Sequence, residues 1–327
     1  MRILLWHVHG SYTTSFVQGA HDYVLPVLPD RGPDGRGRPT TWEWPARARE
    51  VPVERLGEEP IDVVVLQRPH EADLVHTWTG RRVGRDLPAV YLEHNAPTGH
   101  AVATEHPVLH DPTLAEALLV HVTHFNAMAW DSGAHPARVV EHGILDPGPL
   151  YTGDDPSLAV VINEPVRRRR VSGSDLVLDL ARCVPVSVYG MGSDQLGACA
   201  EAQALPGLDP SRCHDLPQDR LHQAMARHRA YLHPYRWTSL GLSLIEAMTI
   251  GMPVLALSTT EAAEAVPDGA GVVTNDVARL RAEARRLLAD PDEARHRGRV
   301  AREHALRHYP LTRFLDDWDR VLLEVTS

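Results

Sequence analysis

Cysteine is scarce in this sequence and follows no pattern. Cys183, Cys199 and Cys213 are an odd number without C-x-x-C spacing, which leaves neither a disulfide framework nor a zinc knuckle. No apolar run approaches the ~20 residues of a membrane span, so no integral membrane segment is expected. The start, MRILLWHVHG, lacks the long apolar stretch and small-residue cleavage site of a signal peptide. It reads instead as a first buried strand. Together these absences point to a cytoplasmic protein in a reducing compartment. A basic excess is missing as well. The formal charge of −10 argues against a nucleic-acid partner, because such binders need a cationic field to displace counterions. Internal repeats and low-complexity segments are absent too. What remains is 327 residues with 43% hydrophobic and 23% charged, the balance of a globular chain long enough for two α/β domains.

Short β-rich apolar runs alternate with helical patterns, the signature of βα units on parallel sheets. In the first half the runs predict strands at Ile3–Val8, Ile61–Leu66, Ala89–Leu92, Leu118–Val122 and Val139–Glu141. Pro29–Pro39 reads as a loop interrupting the first βα pair. Pro147 to Pro156 has the proline, glycine and aspartate content of a linker. A second series then predicts strands at Leu158–Ile162, Val186–Tyr189, Ala230–His233, Val254–Leu257 and Gly271–Val273. The last fifty residues read as helical, with Pro310 breaking one helix before Leu311–Val325. The expected division is a Rossmann-like domain over 1–146, a second over 147–310, and a helix over 311–327 returning to the first. Ligands are expected at the carboxyl ends of the strands.

The most informative stretch is His233–Glu264, HPYRWTSLGLSLIEAMTIGMPVLALSTTEAAE. It predicts a strand ending at His233–Pro234, a loop with Thr238, Ser239 and Gly241, and a helix to Ile250. Gly251 suits the position after that helix, and Pro253 prevents its continuation. Ser258 with Glu261 fits a capping box for the next helix. A glycine at a helix N-terminus lets backbone amides approach an anion, and the helix dipole favours a diphosphate there. Glu246, one turn inside, is placed to reach the sugar hydroxyls of a nucleotide; a plain surface glutamate is the alternative.

This block resembles the nucleotide-sugar segment of retaining GT-B glycosyltransferases of family 4. LGLSLIEAMTIGMPV is similar to that family's G-L-x-L-x-E-A-M-A-x-G-x-P-V pattern from Gly241 through Val254. The resemblance implies an α/β GT-B fold, two Rossmann-like domains facing each other across a cleft, the first on the acceptor side and the second on the nucleotide-sugar side. It implies that the loop Thr238, Ser239, Leu240, Gly241, Leu242 and Ser243 holds the diphosphate or sugar, and that Glu246 binds ribose hydroxyls. YLEHNAP is similar to the segment whose histidine, here His94, approaches the donor sugar. VVEHGILDPG resembles the interdomain hinge, VYGMGS with Gly190 the I-x-G-x-G segment, and HGSYTT with Gly10 the loop after strand one. The chain also resembles actinobacterial glycosyltransferases of unassigned acceptor. As a dinucleotide fingerprint Gly190-Met191-Gly192 is poor, with no third glycine at Gln195 and no helix obviously starting there. A nicotinamide dehydrogenase is disfavoured accordingly.

Two positions depart from the family pattern. Eight residues before Glu246, where relatives carry a first glutamate, stands Thr238. A threonine hydroxyl donates and accepts but offers no charged bidentate acceptor. Where G-R-x-x-x-x-K-G places a phosphate-binding lysine, aligning Gly173 puts Ser172. Arg167, Arg168, Arg169 and Arg170 stand just before it, and a guanidinium from this run, with Arg167, Arg168 and Arg170 the candidates, is expected to neutralise the leaving diphosphate; a solvated basic turn is the alternative. No H-E-x-x-H or G-x-S-x-G motif is present, so neither a zincin nor a serine hydrolase is indicated. The resemblance implies a metal-independent enzyme without a cofactor. Its substrate is a nucleotide diphosphate sugar, and its acceptor, small molecule or glycan, is unidentified. No carboxylate pair is placed for double displacement, so a same-face retaining mechanism is expected. A nucleotide-sugar epimerase and a non-catalytic sugar-nucleotide binding scaffold stay open, the latter because of Thr238. The oligomeric state is open as well.

Overall fold

The computed structural model describes residues 1–100 and 103–327. Contacts divide the chain into two units, Met1–Gly143 with Leu311–Ser327, and Ile144–Pro310.

Along the first unit run β1 (Arg2–Leu5), α1 (Gly10–Phe16), β2 (Asp22–Val27), β3 (Ala48–Pro52), β4 (Val63–Leu66), α2 (Glu71–Thr79), β5 (Ala89–Glu93), β6 (Leu118–His121), α3 (His124–Ala129) and β7 (Ala137–Val139). The strands pair in parallel in the order β3-β2-β1-β4-β5-β6-β7. A parallel strand covered on both faces needs a continuous apolar run. The buried VVVL of β4 and LLVH of β6 supply it. Leu4, Trp6, Val64, Leu66, Tyr91 and Leu119 lie in one core cluster. The strand order reverses between β1 and β4, and a ligand crevice is expected at their carboxyl ends.

The second unit contains β8 (Asp155–Val161), α4 (Pro165–Ser172), α5 (Ser174–Leu180), β9 (Val186–Tyr189), α6 (Ser193–Ala202), β10 (Cys213–His214), α7 (Gln218–Met225), β11 (His228–His233), α8 (Leu242–Ile250), β12 (Val254–Ala256), α9 (Ala262–Ala265), β13 (Gly271–Val273), α10 (Val277–Ala289) and α11 (Pro291–His308). Its parallel sheet has the order β10-β9-β8-β11-β12-β13, so the switch point lies between β8 and β11. Local chemistry sets the helix ends. The Asp276 carboxylate accepts from the amides of Ala278 and Arg279 at the start of α10, and Asp290 does the same for α11, whose first residue is Pro291. Gly251, in the left-handed region at φ 97°, closes α8.

The last helix, α12 (Leu311–Thr326), belongs to the first unit. Its buried stripe of Phe314, Trp318, Val321 and Leu322 has helical spacing. The Trp318 Nε1–H donates to the Tyr12 hydroxyl at 2.8 Å, and the Trp318 ring meets Phe16 edge-on at 4.7 Å.

Some elements differ from the sequence-based expectation. β1 ends at Leu5 rather than Val8, because the chain turns at Trp6–Val8 to begin α1. His7 and His9 therefore leave the strand. The Pro29–Pro39 loop follows β2 and does not interrupt the first βα pair. It folds back through the Val27–Arg36 bridge and the paired bonds of Arg31 to Glu50 at 2.8 and 2.9 Å. The strands β2, β3 and β10 were not expected from the sequence, and β8 begins inside the linker-like stretch. No helix among the described residues is long and apolar enough to cross a membrane.

Candidate functional site

In the first unit, the chain segments leaving β1, β4, β5 and β7 bring four side chains together. His9 ends the turn after β1 and is the N-cap residue of α1, its carbonyl accepting from the backbone N and hydroxyl of Thr13, each at 2.8 Å. Gly10 opens α1, and a Cβ there would make only ordinary contacts with Trp42 and His7. His94 follows β5, its ring 4.0 Å from that of His9 and 4.6 Å from that of Tyr12. Its Nε2 lies 3.0 Å from the Gln67 side-chain oxygen. His142 is buried, edge-on to Tyr12 at 5.6 Å, and neither ring nitrogen has a hydrogen-bond partner among the described residues. Burial lowers His9 to about 4, with Arg68 and His7 adding to the effect. Burial lowers His142 to about 3, with help from His9 and Arg313. His94 falls well below the usual imidazole range through burial and then its two histidine neighbours. The cluster is therefore neutral at physiological pH. Neutral imidazoles hydrogen-bond hydroxyls without offering an anion any net charge.

In the second unit the segment at the carboxyl end of β11 leads into the helix α8. Gly241, its N-cap residue, has extended backbone at ψ 117°, and neither a capping side chain nor an acidic first-turn residue occupies that end. The first amides of α8 lack intrahelical acceptors by geometry and face forward with the positive end of the helix dipole. A Cβ on Gly241 would stand 2.7 Å from the ring of His233, itself buried and lowered to about 3 by burial. Thr238 is half-buried in this loop, Ser239 and Leu240 are buried, and Leu242 is half-buried. The Ser243 hydroxyl lies 2.8 Å from that of Tyr231. Glu246 is buried, not the surface glutamate of the alternative, and one of its oxygens lies 3.5 Å from His222 on α7.

Two glycines hold the neighbouring loops against this region. Gly190, at φ 121°, has no room for a side chain, since a Cβ would stand 2.6 Å from the Ile162 carbonyl oxygen. Gly173, at φ 77°, would place a Cβ 1.9 Å from the Pro234 carbonyl oxygen. Both conformations suit only a residue without a side chain. The arginine run forms α4, kinked where Arg169 sits at φ 39°. Arg167 pairs with Glu164 and Arg170 with Asp175, both arginines exposed. Arg168 lies over the Tyr235 ring, 5.4 Å from its centre, a cation–π arrangement beside the β11–α8 loop. Ser172, where a lysine was sought, is buried and bonded to the Arg169 carbonyl and the Ser174 hydroxyl.

Residues 177–290 match the family described as glycosyl transferases group 1. That segment lies within the second unit and includes Gly190, the Thr238–Ser243 loop and Glu246. Solved structures share the fold along nearly the whole chain. HepE from Anabaena, in a crystal structure with UDP, is similar at a TM-score of 0.72 and 15% identity, covering 99% of this chain and 100% of that one. Its complex with UDP-glucose gives 0.71 at 16% identity, with the same coverage. Sucrose-phosphate synthase from Thermosynechococcus elongatus gives 0.70 at 15% identity, covering 99% of this chain and 98% of that one. No curated protein matches the sequence. The fold is GT-B, α/β with two Rossmann-like domains.

Two local expectations are corrected. A helix does start on the Gly190–Gly192 turn: α6 begins at Ser193, with Gly192 left-handed at its N-cap. Its small, polar residues carry too little apolar signal to announce it. The Ser258–Glu261 capping box does not form; Glu261 is itself the N-cap residue of α9 and makes no side-chain cap. The sequence reading also missed Tyr12, Gln67, His142, His222 and His233. His142 lies inside the hinge-like VVEHGILDPG, between Glu141 and Gly143, where nothing local marks it as buried. His304 and His308, one turn apart on α11, stack at 3.9 Å. No group of three or more His, Cys, Asp or Glu is placed to hold a metal among the described residues.

Proposed function

We propose that this protein transfers a sugar from a nucleoside diphosphate sugar to an acceptor, with retention of anomeric configuration. The observation that carries the reading is the open N-terminus of α8, with Gly241 at its entrance and the buried Glu246 one turn inside, within the segment that matches glycosyl transferases group 1. Anion-ready amides and a carboxylate set one turn deeper suit two adjoining parts of such a donor: diphosphate at the amides, ribose hydroxyls at Glu246. HepE's complexes with UDP and UDP-glucose make a uridine donor the first to try.

Breaking the anomeric C–O bond leaves positive charge on the sugar and negative charge on the departing diphosphate. The α8 amides and the Arg168 guanidinium supply the counter-charge to the leaving group. Arg167 and Arg170 join them by releasing their surface carboxylate partners. His94, uncharged, orients a sugar hydroxyl. The acceptor enters on the face the diphosphate leaves, and the leaving phosphate takes its proton. This chemistry uses no metal or cofactor, and we place the protein in the cytoplasm, where nucleotide sugars are made. A second reading, a non-catalytic sugar-nucleotide scaffold, draws on Thr238 in place of a carboxylate.

The test is a panel of nucleotide sugars scored by thermal shift and by slow donor hydrolysis, which needs no acceptor. Stabilisation with hydrolysis supports the transferase. Stabilisation without turnover favours the scaffold, and no stabilisation by any member rejects both.

A further inference from the structure

Gln67 leaves the end of β4, is buried, and touches two groups of opposite demand. Its side-chain nitrogen lies 2.7 Å from the Trp6 carbonyl oxygen, and its side-chain oxygen 3.0 Å from His94 Nε2. A backbone carbonyl only accepts, so the amide end facing Trp6 must be the NH2. The end facing His94 is then the carbonyl oxygen, which also only accepts. Turning the amide over would set two acceptors against each other at Trp6. The orientation follows from the neighbours, not from the identity of light atoms. The residue is held from behind as well. Its backbone N–H donates to Glu71 at 2.6 Å, and Glu71 is held in turn by the Arg68 side chain at 2.7 Å.

An acceptor opposite Nε2 requires a proton there. His94 carries one ring proton, because burial and the neighbouring His9 and His142 disfavour a second. That proton sits on Nε2 and leaves Nδ1 as a bare lone pair. No other hydrogen bond to the ring is made among the described residues. We infer that Gln67 is a positioning residue that holds His94 as its Nε2–H tautomer, so that Nδ1 accepts a hydrogen bond from a hydroxyl of the sugar being transferred. The proton on Nε2 stands on the geometry; the bare Nδ1 adds to it the lowered basicity of the buried ring, and the hydroxyl rests on the transferase reading. A bare lone pair repels phosphate oxygens. The ligand group at His94 is thus a hydroxyl, and the diphosphate belongs elsewhere.

The experiment uses the full chain with 15N-labelled histidine and long-range proton–nitrogen correlation near neutral pH. The His94 signals are assigned by their loss in His94→Asn. The unaltered protein should show His94 protonated on Nε2 and bare on Nδ1. In Gln67→Leu the Nδ1–H form should appear beside it. In Gln67→Glu, the milder change, the new carboxylate should draw the ring toward its doubly protonated form. Donor hydrolysis by Gln67→Leu should fall roughly tenfold, the size of one lost oriented polar contact, while affinity for UDP alone stays unchanged. A Nδ1–H tautomer in the unaltered protein overturns the inference, as does a tautomer ratio that ignores both substitutions. If the tautomer is as expected but the unaltered protein turns over no nucleotide sugar, the transferase reading fails and the Gln67 lock stands.

Discussion

At the scale of single residues, the donor reading concentrates on Glu246 and Thr238. Glu246 is buried with His222 as a nearby partner, so its carboxylate is held inside the fold rather than left to solvent. Glu246→Ala should weaken UDP binding by about 1.5–3 kcal/mol, the range for hydrogen bonds to a charged group. Unchanged calorimetric affinity would remove Glu246 from the site. Thr238 has no hydrogen-bond partner among the described residues and is half-buried in the same loop. If position 238 faces the donor sugar as proposed, Thr238→Glu sets a carboxylate against its hydroxyls and should change the order of preferred donors by ~1–3 kcal/mol of discrimination. Its affinity for UDP alone should stay put. A donor ranking identical in both forms would show that position 238 does not face the sugar. The Gly241–Val254 pattern singled out Glu246 in the sequence, and counting back eight residues from it singled out Thr238. Gln67 was not legible there, because its contacts are with partners far along the chain, Trp6 and His94.

At the scale of elements, close approaches of backbone decide what the loops tolerate. Gly173 follows α4 and meets the Pro234 carbonyl across the β8–β11 switch point. A methyl group there finds rigid backbone, not a movable side chain, and the left-handed φ adds its own strain. Gly173→Ala should destabilise the second unit by about 2–4 kcal/mol, seen as a lower urea midpoint; a loss under ~1 kcal/mol would mean that the loop relaxes freely. The strands showed the same division between legible and hidden. β4 and β12 are apolar runs buried on both faces and stand out in the sequence, as does β9, apolar but for Ser187. β2 carries Pro26 next to its last residue and β3 is an edge strand with Arg49 and Glu50. Proline and charge both argue against a strand unless its neighbours are known. β10 has only two residues, and its pairing with β9 places it.

At the scale of the whole molecule, buried neutral histidines set the response to acid. His9, His121 and His228 are lowered to about 4, and His142 and His233 to about 3, each chiefly by burial. The unfolded chain takes up protons at these positions near 6.5, while the folded chain excludes them until far lower pH. Stability is therefore full above about pH 6.5 and falls as pH drops toward the folded values, by up to ~1.4 kcal/mol per pH unit for each histidine. Carboxylates held low by arginine partners, such as Glu50, Glu59 and Asp146, add to the loss only below about pH 4.5. Urea midpoints should drop steeply between about pH 6.5 and 5; a flat profile there would show these rings to be solvated. Truncation of Trp318 probes the other long-range feature. Trp318→Ala should cost about 3–5 kcal/mol and speed amide exchange in α1 and β2 while β11 and β12 keep their protection. Uniform loss across both units would contradict the division. The placement of α12 also orders events during synthesis. A chain made from its N-terminus has completed Ile144–Pro310 before the helix that covers Tyr12 and Phe16 exists. The first unit must therefore wait, its aromatic face bare, through the translation of the whole second unit, and chaperones on the nascent chain should find their binding site there.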